Sequence, residues 1–265
     1  MSNAVDLKIF HPYKVDGLKR IGNKNDGGYI VHLPSLQQVD CLLNYGVGYN
    51  VAFEKEFHKL TNAPVYAFDP TMKKLKYFVA GIKQGEYFIT AKQVVKLMLW
   101  LAQENSLEKH GIHFIEEGLS DKNTEDFKTL DYHLLKYNLR DKNIFLKIDI
   151  EGAEYDIIRH ESFYNNLKNV MQLIFEFHFL DKRLPEISDL ISKLEPTHSL
   201  VHIHGNNNGG TFSYNGKNVP DIVEAVFLHN SFLPVKKLSS ADYPVEGLDY
   251  PCNWRRKDIP LNFFK

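Results

Sequence analysis

Short apolar runs recur along the chain at residues 39–45, 65–68, 112–116, 144–150, 171–178, 199–204 and 223–229, and each has the length of a strand. Between them, residues 52–60, 91–103, 153–160 and 185–194 return their apolar side chains at helical spacing. Strand-length runs alternating with helical segments predict an α/β fold, doubly wound, around a mostly parallel sheet. Before the first core strand, RIGNKNDGGYIV (residues 20–31) carries the turn signal Asn25-Asp26-Gly27-Gly28, followed by a short alternating strand. Residues 230–265, rich in Pro and aromatics, read as an irregular tail wrapping the domain. With no Pro/Ser/Gly-rich linker and no repeat, the chain reads as a single domain over 1–265: an N-terminal extension (1–38), a core (39–229) and the tail.

Composition narrows the functional classes. Of 265 residues, 43% are hydrophobic, which is enough for a sizeable core and excludes a disordered or fibrous chain. Lys plus Arg (32) and Asp plus Glu (33) nearly cancel and are dispersed, so no general field steers nucleic acid towards the protein. The two cysteines, Cys41 and Cys252, are far apart and in no CxxC spacing, which argues against a disulfide scaffold or a thiolate zinc site and fits a reducing, cytoplasmic setting. No run approaches the roughly 18 consecutive apolar residues of a membrane span.

In a doubly wound sheet, ligands bind beyond the carboxyl ends of the strands. There, Gly46 and Gly48 of GVGYNV follow the first core run, and Asp69 ends the next, VYAFDP. Glycine lets backbone approach a ligand, and a carboxylate at that strand end accepts the hydroxyls of a ribose. The alternative is a tight strand-to-helix turn with Asp69 as a helix cap. The third position of a dinucleotide GxGxxG motif holds Val51, which favours S-adenosylmethionine, a donor without phosphates, over NAD(P). Glu54 and Glu56 either meet the ammonium or sulfonium of such a donor or complement the dipole of their helix. Glu116, Glu117 and Gly118 end the third strand, where this fold contacts adenine.

The segment FLKIDIEGAEYDII (residues 145–158) places Lys147, Asp149 and Glu151 at period two, on one side of an otherwise apolar strand. Charges there need partners, and a salt bridge from Lys147 is the structural answer. Glu176 and His178, then His202 and His204, repeat the pattern on the next two runs. Asp149, Glu176, His178 and His204 therefore make a carboxylate and imidazole set suited to Mn²⁺ or Mg²⁺. Without a metal, His178 or His204 acts as a general base oriented by Asp149 or Glu176.

Taken together, RIGNKNDGGYIV, LNYGVGYNVAFEKEF, YAFDP, GLSD, KIDIEGAE, FEFH and HIHGNN resemble the FkbM-like family of S-adenosylmethionine-dependent methyltransferases, found among sugar- and polyketide-tailoring enzymes. KIDIEGAE (residues 147–154) is the most specific of these matches. The resemblance implies a class I methyltransferase fold, a Rossmann-like three-layer sandwich whose seven-stranded sheet has one antiparallel strand, with the adenosyl group held by Gly46, Gly48 and Asp69. More distantly, the chain is similar to metal-dependent O-methyltransferases, which implies a divalent cation at Asp149 with Glu176 or His178. The expected reaction is in-line methyl transfer to a hydroxyl. Asp149 and His178 are its first metal ligands, His204 a third ligand or the base, and Lys147 orients Asp149 or stabilises an oxyanion. By family analogy the acceptor is a sugar, on a nucleotide or in a surface polysaccharide. Residues 206–210 and the tail aromatics Phe232, Tyr243, Tyr250 and Trp254 either line its site or belong to the core; Arg255 and Arg256 meet a phosphate or lie on a solvated face. The competing readings are an NAD(P)-dependent oxidoreductase and a noncatalytic S-adenosylmethionine-binding protein.

Overall fold

The turn at residues 25–28 closes an antiparallel hairpin of β1 (Leu18–Gly22) and β2 (Gly28–His32). Every residue of β2 is buried, so its alternation does not mark a solvent face: the hairpin lies as a covering layer on the main sheet. The computed structural model describes residues 4–48, 50–71, 108 and 111–265, and the expected helix at 91–103 lies outside these.

Within the described residues, β3 (Cys41–Tyr45), β4 (Val65–Phe68) and β5 (Ile112–Ile115) are followed by the two-residue pair β6 (Gly118–Leu119) and β7 (Phe127–Lys128). Next come β8 (Ile144–Ile148), β9 (Val170–Phe177), β10 (His198–Gly205), the hairpin β11 (Thr211–Tyr214) and β12 (Lys217–Pro220), and β13 (Val223–His229). Seven of these form the main sheet in the order β10-β13-β9-β8-β3-β4-β5. Only β13 is antiparallel to its neighbours in it. The order turns back between β3 and β8, where a crevice opens at the strands' carboxyl ends.

Side chains on the central strands alternate between two cores, as period two requires. Leu43, Tyr45, Leu146, Leu173 and Phe175 face α3 (Leu130–Lys136), α4 (Glu154–Ile158), α5 (Glu161–Asn165) and α6 (Leu180–Leu194). Leu42, Phe145, Ile174 and Val226 face the hairpin, α1 (Leu33–Leu36) and α2 (Ala52–Thr61). The result is a three-layer sandwich. In α6 the buried stripe Leu180, Leu184, Ile187, Ile191 and Leu194 continues across Pro185, so the helix starts before the proline that looked like its first residue. The segment expected as a helix at 153–160 holds α4, and α5 follows directly after it.

β8 also stops earlier than its apolar run. Glu151 and Gly152 take φ values of +57° and +101°, which turn the chain sharply after Asp149. Glu151 thereby leaves the strand alternation, and its side chain is 88% exposed. Lys147, Asp149 and Glu176 keep to the hairpin side of the sheet. No helix among the described residues is long and apolar enough to cross a membrane.

Candidate active site

The loop after β3 is shaped by two glycines with different constraints. Gly46 has φ +84°, and a Cβ there would lie 1.5 Å from the Asp149 carbonyl oxygen, so the ends of β3 and β8 approach closely only because this position is glycine. Gly48 has φ +59°, and a Cβ on it would meet nothing within 4 Å. It opens onto a cavity of about 360 Å³ lined by Tyr45, Phe68, Asp69, Gly118, Leu119 and Phe127, among others. Asp69 ties this loop to its own strand end: Oδ2 accepts from the Gly48 amide at 2.9 Å, and Oδ1 from the Thr71 amide at 2.8 Å and hydroxyl at 2.6 Å. The expected Gly46, Gly48, Asp69 and Gly118 thus meet in one place. Glu117 does not join them, because its carboxylate is held by Lys136 Nζ at 3.0 Å and lies 3.2 Å from His133 Nε2.

A second cavity, about 310 Å³, lies beside the first under the hairpin. The two share Gly46, Gly48, Asp149 and Glu151 in their walls. Asp149 Oδ2 accepts from Tyr29 Oη at 2.9 Å and from Lys147 Nζ at 3.2 Å, and the lysine also stands over the tyrosine ring. Lys147 therefore orients Asp149, while Glu176 accepts from Asn206 Nδ2 at 2.8 Å. Burial, then repulsion from Asp149 and Glu224, pushes the Glu176 carboxyl well above the ordinary carboxylate range. Glu54, on α2, is buried and accepts from Asn44; burial raises its pKa to about 7, and its Oε2 has no partner. Glu56 faces elsewhere, accepting from the Gly22 amide at 2.8 Å to dock the hairpin on α2.

His178 follows β9 at the cavity edge. Its Nε2 is 3.5 Å from Glu151 and 3.8 Å from Glu176, and its Nδ1 is 3.5 Å from Glu154. Burial alone would lower its pKa, but Glu154, Glu176 and Asp149 outweigh it and raise it to about 9. These carboxylates favour the protonated imidazole, which works against a general-base role for His178. One ligand atom from each of Asp149, Glu151 and His178 lies within 4.8 Å of the others. That set has Glu151, brought in by the turn after β8, where the expected one had Glu176 and His204. His204 is not brought to this cavity: Nδ1 is 3.2 Å from Glu224 and Nε2 3.0 Å from Asp258. The sequence marked Asp26 only as part of a turn and assigned no role to Tyr29 or Asn44.

The chain matches the methyltransferase FkbM domain family over residues 40–207. No curated protein matches it. Solved structures to which the chain is similar include an rRNA methylase from Streptococcus thermophilus, at 11% identity and a TM-score of 0.37, covering 74% of this chain and 90% of that one. Precorrin-6y C5,15-methyltransferase from Geobacter metallireducens is 12% identical with a TM-score of 0.37 and coverages of 74% and 85%. The fibrillarin pre-rRNA processing protein of Methanococcus jannaschii is 11% identical with a TM-score of 0.38 and coverages of 84% and 73%. The family match spans the glycine loop, Asp69, the KIDIEGAE segment and His178, and the dinucleotide-oxidoreductase reading falls with it. The chain belongs to the FkbM methyltransferase family and is an S-adenosylmethionine-dependent methyltransferase of the class I fold.

Proposed function

We propose that the chain methylates a hydroxyl of a sugar, with the donor in the cavity at Gly48 and Asp69 and the acceptor in the cavity under the hairpin. The observation that carries this reading is that the two cavities adjoin through Gly46, Gly48, Asp149 and Glu151. A methyl group passing from one ligand to the other crosses beside Asp149. The unpartnered, buried Glu54 Oε2, in the wall of the adjoining cavity, suits the ammonium of a donor whose amino-acid end reaches across the shared wall, and the open space at Gly48 suits its body.

The acceptor cavity is lined by five carboxylates, Asp26, Glu54, Asp149, Glu151 and Glu176, against the cations of Lys147 and His178. Such a wall opposes a phosphate-rich ligand and suits hydroxyls, which donate to carboxylates and accept from Asn50, Asn206 and Asn208. It also suits a divalent cation, which Asp149, Glu151 and His178 would hold. A bound cation supplies Lewis acidity that makes a hydroxyl a better nucleophile.

The chain's own contribution is positioning and proton management. Tyr29 and Lys147 fix the Asp149 carboxylate, and Glu154 stands 3.5 Å from His178 Nδ1. Glu176, held by Asn206, faces the same cavity and is placed to hydrogen-bond a neighbouring hydroxyl. As the new C–O bond forms, the donor's C–S bond breaks, and the hydroxyl proton leaves to water past the exposed Glu151. Holding the two substrates in line supplies much of the acceleration.

The test is calorimetric titration of chelator-treated protein with S-adenosylhomocysteine, with and without Mn²⁺, followed by an acceptor screen of neutral sugars and nucleotide sugars. Asp149→Ala should keep donor-product affinity within about threefold and lower turnover by about 100-fold or more. An active Asp149→Ala protein, or turnover indifferent to both chelator and sugar, would sink the proposal. Donor binding with Asp149→Ala function unchanged would favour the noncatalytic alternative.

A further inference from the structure

His204, Glu224 and Cys252 form a second cluster of metal-ligand types, outside the lining of both cavities. The antiparallel register of β10 and β13 sets His204 opposite Glu224, and the tail brings Cys252 against them. All three residues are buried. Glu224 Oε2 is 3.2 Å from His204 Nδ1, and Glu224 Oε1 is 3.3 Å from Cys252 Sγ. One ligand atom of each of the three lies within 4.8 Å of the others, close to the roughly 3.3–3.6 Å ligand-to-ligand edges of a tetrahedral zinc with ordinary bond lengths. The remote nitrogen of the imidazole, Nε2, faces both oxygens of Asp258 at 3.0 and 3.1 Å. A carboxylate in that position fixes the tautomer and orientation of a metal-bound histidine.

We propose that His204, Glu224 and Cys252 bind a zinc ion, with Asp258 as the positioning residue for His204. The thiolate, imidazole and carboxylate combination selects zinc over the hard cations suited to the Asp149 cluster. On binding, the Cys252 thiol proton and the His204 Nδ1 proton are released as the two metal bonds form. The ion joins β10 and β13 to the tail, next to the place where Asn207 bonds to the backbone of Asn253, Arg256 and Lys257. Since Asn206 and Asn208 line the acceptor cavity, zinc holds one wall of that cavity in place. The sequence argument against a thiolate zinc site rested on ligands close together in the chain, whereas these come from two strands and the tail.

The experiment uses the full chain, stripped with chelator and loaded with Co²⁺. Wild-type protein should show the near-ultraviolet thiolate-to-cobalt charge-transfer band and the intense visible bands of four-coordinate cobalt, both abolished by Zn²⁺. Cys252→Ser should lose the charge-transfer band, and its zinc retained through gel filtration should fall at least tenfold. Asp149→Ala should keep both, which separates this site from the cavity cluster, and Asp258→Asn should weaken zinc binding about 10–100-fold. If Cys252→Ser does not fold, Cys41→Ser takes its place and must keep the band. Folded wild-type protein without the band, a band that survives in Cys252→Ser, or a band lost in Cys41→Ser overturns the proposal.

Discussion

Glu54 carries a burial cost that its contacts within the fold do not offset. Its carboxyl is buried on α2, burial lifts its pKa to about 7 from an ordinary 4.5, and one oxygen has no partner. A carboxyl that holds its proton more tightly in the fold stabilises it fully below pH 4.5 and loses that contribution as pH rises through 7. The loss is on the order of 3 kcal/mol. Glu54→Gln should therefore gain on wild type in urea denaturation between pH 4.5 and 8, with little difference at pH 4. A gap independent of pH would show that Glu54 ionises normally. The same variant should bind S-adenosylhomocysteine about 10–100-fold more weakly at pH 8, because a charge-assisted bond to the ammonium is lost. Asp69 makes the complementary case. Asp69→Ala frees the Gly48 amide and both Thr71 donors, so donor-product affinity should drop about tenfold or more while metal content is unchanged; equal affinity would remove Asp69 from the donor site. Asp69 was legible in the sequence because a strand end is a recognisable place. Tyr29 was not, since its link to Asp149 spans 120 residues.

At the scale of elements, the two glycines after β3 separate folding from binding. Gly46→Ala puts a Cβ against the Asp149 carbonyl at φ +84° and must push β3 from β8, at about 2–6 kcal/mol. Gly48→Ala adds a Cβ in open space, so its fold should persist at about 1–2 kcal/mol while donor-product affinity falls. Thermal unfolding and calorimetry on the pair check this, and equal destabilisation by both would contradict it. The strands themselves were readable because those covered on both faces are mostly apolar runs, as in β8 and β9, where Lys147, Gln172 and Glu176 are the only polar residues. Their ends were harder. Nothing in local propensity announces that Glu151 takes a positive φ, an uncommon conformation for a glutamate, yet that turn adds Glu151 to the ligand cluster beside Asp149 and His178. Pro185 misled in the other direction, since a proline reads as a helix start while the α6 stripe begins at Leu180.

At the scale of the whole molecule, the tail is part of the site's support although it lines neither cavity. Its anchor is the buried contact of Asp249 Oδ1 with His202 Nε2 at 2.8 Å, while Oδ2 accepts from the Val245 amide at 2.7 Å. Contacts this remote in sequence leave no periodic trace, which is why His202 was legible only as a polar residue in a buried strand. Burial would raise the Asp249 carboxyl, but His202, aided by His204, holds it below its ordinary 3.8. A depressed carboxyl contributes stability above its unfolded pKa and loses it as pH falls through the folded one. Asp249→Ala should therefore cost about 3–5 kcal/mol at pH 7, because it strands a buried imidazole, and the gap to wild type should narrow as pH falls below about 4. The loosened tail should become the first site of limited proteolysis. Donor-product affinity should hold, since the donor cavity is walled by β3, β4 and the segments after β5 and β8, whereas turnover should fall as residues 206–208 lose their backing. A variant that loses donor binding and turnover together would mean that the tail supports the sheet as a whole, and that the acceptor wall has no separate anchor.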